Sequence, residues 1–193
     1  MTTAHTEAIA RLRAAGCVFA EEEAAVLAEA ARDDPATLAA LVGRRATGEP
    51  LEQVVGYADF CGVRVRLRAG VFVPRVRSEL LVRLAVREDP RIVVDLCCGS
   101  GALGLAVLKQ RPKIILHSAD LDPIAVATAR DNLTTAVHEG DLFSALPGEL
   151  RGHIDVLIAN VPYVATHHIP LLPAEARDYE PLTALDEIGR AHV

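Results

Sequence analysis

The chain begins with an alanine-rich stretch in which Ala8, Ile9, Leu12 and Ala15 recur at helical spacing and stop at Gly16, which predicts a first helix. A second is expected from Glu21 to Arg32. Asp33-Asp34-Pro35 then breaks the pattern, and Pro35, acceptable in a first turn, starts a third helix that reaches Leu41-Val42 before Gly43. From Leu51 the period changes. Val63-Arg64-Val65-Arg66-Leu67-Arg68 alternates strictly, the mark of a half-exposed strand, and Gly56, Gly62 and Gly70 punctuate it, so a hairpin is expected. Arg64, Arg66 and Arg68 share one face, which reads as a solvated surface or as a docking surface for an acidic partner.

A helix from Ser78, as N-cap, to Val86 is followed by strands and helices in alternation. Strands are expected at Ile92–Leu96, Ile114–Ala119, Ala136–Glu139 and Ile154–Ala159, with helices from Ala102 and over Pro123–Leu133. This order implies an α/β fold with a parallel sheet wound by helices. The expected domains are an N-terminal helical domain over 1–50, a β-hairpin linker over 51–77 and an α/β core over 78–186.

Composition narrows the partners. With 51% hydrophobic and 24% charged residues the chain has an ordinary globular balance. No apolar run approaches the roughly 20 residues of a membrane span. The N-terminus carries Arg11 and Arg13 inside a helical pattern and reads as no signal peptide, so a cytoplasmic protein is expected. A net charge of −6 without a long Lys/Arg run argues against duplex nucleic acid as the main partner. Cys17, Cys61, Cys97 and Cys98 show neither C-x-x-C nor Cys/His spacing, so reduced, small buried residues and no metal site are expected.

The first expected strand runs into Asp95-Leu96-Cys97-Cys98-Gly99-Ser100-Gly101-Ala102-Leu103-Gly104, a literal G-x-G-x-x-G. Any open α/β fold that brings backbone close to a ligand places glycines there, so the ligand must be read from the acids around it. Asp95, Asp120 and Asp141 each follow a strand and would converge beyond the carboxyl ends of the sheet. An acid ahead of the cradle would repel a pyrophosphate. S-adenosylmethionine (SAM) offers a cationic amino group, a ribose diol and an adenine amine, which suit Asp95, Asp120 and Asp141 respectively. Gly99 and Gly101 would let the backbone close over it. Taken singly, Asp95 and Asp141 are equally well explained as caps; the three together favour the ligand. Asp122, followed by Pro123, reads as an N-cap.

The fourth expected strand ends in Asn160-Val161-Pro162-Tyr163, an amide, a proline and an aromatic that form a rigid polar clamp. The tetrapeptide resembles the N-P-P-Y signature of methyltransferases acting on nitrogen in planar groups. With Pro74–Val82 (P-R-V-R-S-E-L-L-V), D-L-C-C-G-S-G and Glu180–Leu185 (E-P-L-T-A-L), the chain resembles the protein-(glutamine-N5) methyltransferases of peptide-chain release factors, from its N-terminal helices to about Asp186. Two positions depart from the family. Val161 stands for its first proline, yet precedes Pro162 and so stays extended; Cys97 stands for the first glycine of the turn.

The resemblance implies a SAM-dependent methyltransferase with a Rossmann-like sheet, a substrate-docking N-terminal domain, and SAM contacts that add Cys97, Leu142 and Asn160 to the three acids and two glycines. It implies a protein substrate, a release factor, held by Asn160, Val161, Pro162 and Tyr163, with Asn160, Pro162 and Tyr163 as the catalytic set, and a monomer if complete. In that chemistry the Asn160 side-chain oxygen and the Val161 carbonyl accept the two amide hydrogens, aiming the nitrogen lone pair at the methyl group. Tyr163 packs on the amide or beside the sulfonium. The competing readings are a nucleic-acid exocyclic-amine N-methyltransferase and a catalytically silent truncated fragment that only binds; a dinucleotide enzyme fits least. Finally, Glu187–Val193 matches the translation of a common sequencing adapter and reads as a non-native tail. The core is therefore expected to be incomplete, with its fourth strand as an uncovered edge.

Overall fold

The computed structural model describes residues 3–187; residues 188–193, most of the expected tail, lie outside the described residues. Three helices, α1 (Thr3–Ala14), α2 (Ala20–Ala30) and α3 (Pro35–Ala46), bury Ile9, Leu12, Leu27, Leu38 and Val42 against one another. Asp34 caps α3, its carboxylate accepting the Thr37 N–H at 2.8 Å. The helix does not stop before Gly43. It continues for another turn, because Val42 and Arg45 are buried on its inner face and packing outweighs the roughly 1 kcal/mol cost of an internal glycine. A fourth short helix, α4 (Leu51–Val55), lies where the hairpin linker was expected to start; its Val54 packs into the bundle, and Gly56 at φ 81° ends it.

The hairpin itself is β1 (Tyr57–Phe60) paired antiparallel with β2 (Val63–Arg66). Its two-residue turn places Cys61 at φ 47° and Gly62 at φ 75°, the left-handed pair that matches strand twist. Val63 and Val65 face the core while Arg64 and Arg66 face out. The arginine face is not merely solvated: Arg64 pairs with Asp59 at 2.9 Å and Arg68 with Asp131 at 2.6 Å.

The core sheet is parallel, in the order β5-β4-β3-β6, with β3 (Ile92–Leu96) and β4 (Ile115–Asp120) central, and β5 (Ala136–Glu139) and β6 (Val156–Ala159) as edges among the described residues. Three helices, α5 (Glu79–Arg87), α6 (Ala102–Gln110) and α7 (Pro123–Asn132), accompany it. Val93, Leu116, Val137 and Ile158 pack with Val82, Val107 and Val126 of these helices. Val94, Leu96 and Ala119 face the other side, where Leu146 and Leu150 cover them. Asp122 caps α7 as expected, accepting the Ile124 N–H at 2.7 Å. Ser78 does not cap α5. It sits in a 3-10 turn (Val76–Ser78) with helical backbone angles and makes no side-chain cap bond, because an N-cap needs an extended residue. Two short helices, α8 (Ala174–Tyr179) and α9 (Leu182–Leu185), end the described chain.

Candidate active site

The turn after β3 is tight. Cys97, Gly99 and Gly101 all adopt left-handed angles, φ 53°, 56° and 77°. A side chain at Gly101 would meet Leu133 of the neighbouring α7 end at 2.8 Å, so this glycine serves helix packing rather than the cavity. A side chain at Gly99 would meet nothing within 4 Å; it would project into open space beside the cavity it lines. Asn132 locks the turn to the hairpin, donating to the carbonyls of Ser100 and Arg66 at 2.9 Å and accepting the Arg66 N–H at 2.8 Å.

The acids expected around this turn do different work. Asp120, at the tip of β4, accepts the Gly99 N–H through Oδ2 at 2.8 Å and the Asp122 N–H through Oδ1 at 3.0 Å, and lines the cavity. Asp95 is completely buried and lies outside that lining. Alternation along β3 puts it on the same face as Val93, under α6, where Oδ2 accepts the Gly104 N–H at 2.9 Å. Its Oδ1 has no hydrogen-bond partner among the described residues, and neither has Ser118 Oγ on the adjacent residue of β4. Burial, reinforced by the charge of Asp120 and opposed by the Gly104 N–H, pushes the Asp95 carboxyl up to about 7. Asp95 thus supports the floor of the turn from beneath α6. Asp141 is exposed, precedes a 3-10 turn at Leu142–Ala145 without capping it, and with Leu142 stands outside the cavity lining.

The cavity has a volume of about 280 Å³ and is walled by Phe72, Cys97, Gly99, Asp120, Asn160 and Pro162, among others. A second cavity, about 480 Å³, lies against it and is lined by Arg77, Val161, Tyr163 and Glu175; Phe72, Asn160 and Ala184 belong to both. The clamp at the end of β6 is therefore the partition. Asn160 makes no side-chain hydrogen bond to a described residue, so its amide is available on that partition. Val161 and Tyr163 are 44% and 51% exposed, open to an incoming molecule. The Tyr163 hydroxyl accepts from Arg77, whose guanidinium carbon stands 5.3 Å from the ring centroid.

Arg75 and Glu180 stand in two of the motifs that carry the resemblance, but the sequence alone assigns neither a role; in the structure they shape the roof. Glu180 has a fully buried side chain. Its Oε1 accepts the Val73 N–H at 3.0 Å, and Arg75 Nη2 donates to both oxygens at 2.9 and 2.8 Å. Burial raises its carboxyl, while Val73 and Arg75 act in the opposite sense. This contact fixes Phe72 over both cavities and joins Val71–Arg75 to the E-P-L-T-A-L segment. The signal in the sequence was the two motifs themselves, which name the segments but not the pairing between them.

Comparison with known proteins places the chain among methyltransferases. The methyltransferase small domain family matches residues 63–175. A release factor glutamine methyltransferase of Bradyrhizobium diazoefficiens is 33% identical over 205 residues, covering 92% of this chain and 69% of that protein. That of Geobacter sulfurreducens is 36% identical over 163 residues, covering 79% of this chain and 56% of that protein; the chain spans little more than half of several such relatives. A weaker likeness to a solved ribosomal protein L11 methylase from Lactobacillus delbrueckii subsp. bulgaricus has a TM-score of 0.38 at 20% identity, over 65% of this chain and 63% of that one. The chain belongs to the methyltransferase small domain family, among the release factor glutamine methyltransferases.

Proposed function

We propose that the protein transfers a methyl group from SAM to the side-chain amide nitrogen of a glutamine in a protein, a peptide-chain release factor. The observation that carries the reading is the partition: Asn160 lies on the wall shared by the cavity beside the glycine turn and the more open second cavity. A group bound on one side meets a group bound on the other at this residue. The names of the relatives support the substrate class.

The first cavity suits SAM on its own chemistry. Asp120 keeps lone pairs free beyond its two backbone bonds and would take a ribose diol. The space beside Gly99 leaves backbone open to close approach. Asn160 would line the reactive end. Asp95, held beneath the turn, would act on the cofactor through the backbone it supports. When bound, SAM supplies an electrophilic methyl on a sulfonium.

The protein's part is to hold and orient. A glutamine amide nitrogen is a poor nucleophile because its lone pair is delocalised into the carbonyl. The Asn160 Oδ1 and the Val161 carbonyl accept its two N–H bonds, turning the lone pair toward the partition and favouring a pyramidal nitrogen. No strong base would be needed beforehand: the nitrogen would gain the methyl as the methyl's bond to sulfur breaks, leaving the donor as a neutral thioether, and the amide proton would then pass to water. Tyr163, braced by Arg77, packs on the planar amide. Incubating the protein with methyl-labelled SAM and either a release factor or RNA tests the reading. Label on a release-factor glutamine supports it; label on RNA alone overturns it.

A further inference from the structure

Part of the second cavity is lined by Glu175 and Ala176 of α8, a helix of six residues that buries only Ala176. Isolated helices shorter than about 12 residues are marginal in water, and one buried alanine adds little, so its position must be set by other contacts. Two come from the end of α3. Arg45, only 8% exposed, divides its guanidinium between Glu23 of α2, at 2.6 and 3.1 Å, and Glu175 of α8, at 2.7 Å. Thr47, which follows α3, accepts the Tyr179 hydroxyl through its carbonyl at 2.9 Å. Glu175 and Tyr179 are four residues apart and share one face of α8. Two attachments on one face fix a helix's direction as well as its distance.

We propose that Arg45, together with the Thr47–Tyr179 contact, is a positioning device through which the N-terminal bundle sets the shape of the acceptor cavity. The bundle then acts on the site without lining it: neither Arg45 nor Tyr179 borders either cavity, whereas Glu175 and Ala176 border the second. The contacts bear on the acceptor side first, because α8 itself has no residue on the glycine-turn cavity. This inference rests on the reading that the second cavity receives the protein substrate.

The test compares wild type with Tyr179→Phe, Arg45→Gln and Arg45→Lys. Hydrogen exchange is followed in α8 and α6, SAM affinity by calorimetry, and steady-state methylation with a release factor as substrate. Breaking a charge-assisted contact is expected to raise exchange in α8 but not in α6, and to raise KM for the release factor about tenfold while SAM affinity stays within about twofold. Arg45→Lys, which keeps the charge but not the fork, should recover part of the loss. Unchanged α8 exchange overturns the inference, and so does looser α8 with an unaltered KM. If Arg45→Gln fails to fold, Tyr179→Phe, which removes one hydroxyl, still decides it. Should wild type methylate no release factor, the proposed function falls, and the exchange measurement alone judges the joint.

Discussion

Asp120 Oδ2 accepts the Gly99 N–H at 2.8 Å, so the tip of β4 holds the glycine turn that follows β3. One carboxylate thereby fixes the cradle and offers its remaining lone pairs to the cavity. Asp120→Ala removes both functions. SAM affinity should fall by about 1.5–3 kcal/mol, the usual worth of hydrogen bonds to a charged group. Titration calorimetry checks it, and an unchanged affinity in a folded variant would remove Asp120 from the ligand set.

Asp95 has the opposite character, and its signature is in pH. Its folded carboxyl stands at about 7 against an ordinary 3.8, so between about pH 4 and 7 the folded state holds a proton that the unfolded state has lost. This group's contribution to stability is full below about pH 4, declines as pH rises, and levels off above about 7. Asp95→Asn keeps an acceptor for Gly104 and adds a donor near Ser118, without the titration. The melting temperature of the variant relative to wild type should therefore climb from pH 4 to 7, while SAM affinity changes less than about threefold. A pH-independent difference would contradict the buried, protonated carboxyl.

Much of the fold was legible because it is local. The 3.6-residue and two-residue periods of Ile9–Leu12 and Val63–Val65 are written in consecutive residues, and Asp122-Pro123 announces its own cap. The clamp was legible for the same reason, as four residues in a row. Asp95 and Asp120 look alike as acids at strand ends. The side a residue takes is fixed by alternation, and only the Gly104 contact shows that Asp95 is spent beneath α6. Arg45–Glu175 and Arg75–Glu180 join residues far apart in the chain, and a single sequence carries no trace of which acid meets which arginine.

The Arg75–Glu180 contact should matter for stability as well as shape. Arg75→Ala leaves the Glu180 carboxylate buried with only the Val73 N–H; discounted for the partial exposure of Arg75, the cost is about 2–3 kcal/mol. Adding Glu180→Gln removes the stranded charge, so the double variant should be more stable than Arg75→Ala alone. Urea denaturation of wild type, Arg75→Ala, Glu180→Gln and the double variant checks the order. A double variant less stable than Arg75→Ala would mean that Glu180 acts through packing rather than charge.

The central claim is that Asn160 presents a glutamine amide to a methyl donor across the partition between the two cavities. The most direct measurement is single-turnover transfer from methyl-labelled SAM to a release factor, with the modified atom located by mass spectrometry, in wild type and Asn160→Ala. The predicted result is one methyl on the side-chain nitrogen of a glutamine in wild type. In Asn160→Ala, SAM binding should be largely retained and transfer slowed about a hundredfold or more. Transfer by Asn160→Ala at near the wild-type rate, or a label on any group other than a side-chain amide, would contradict it.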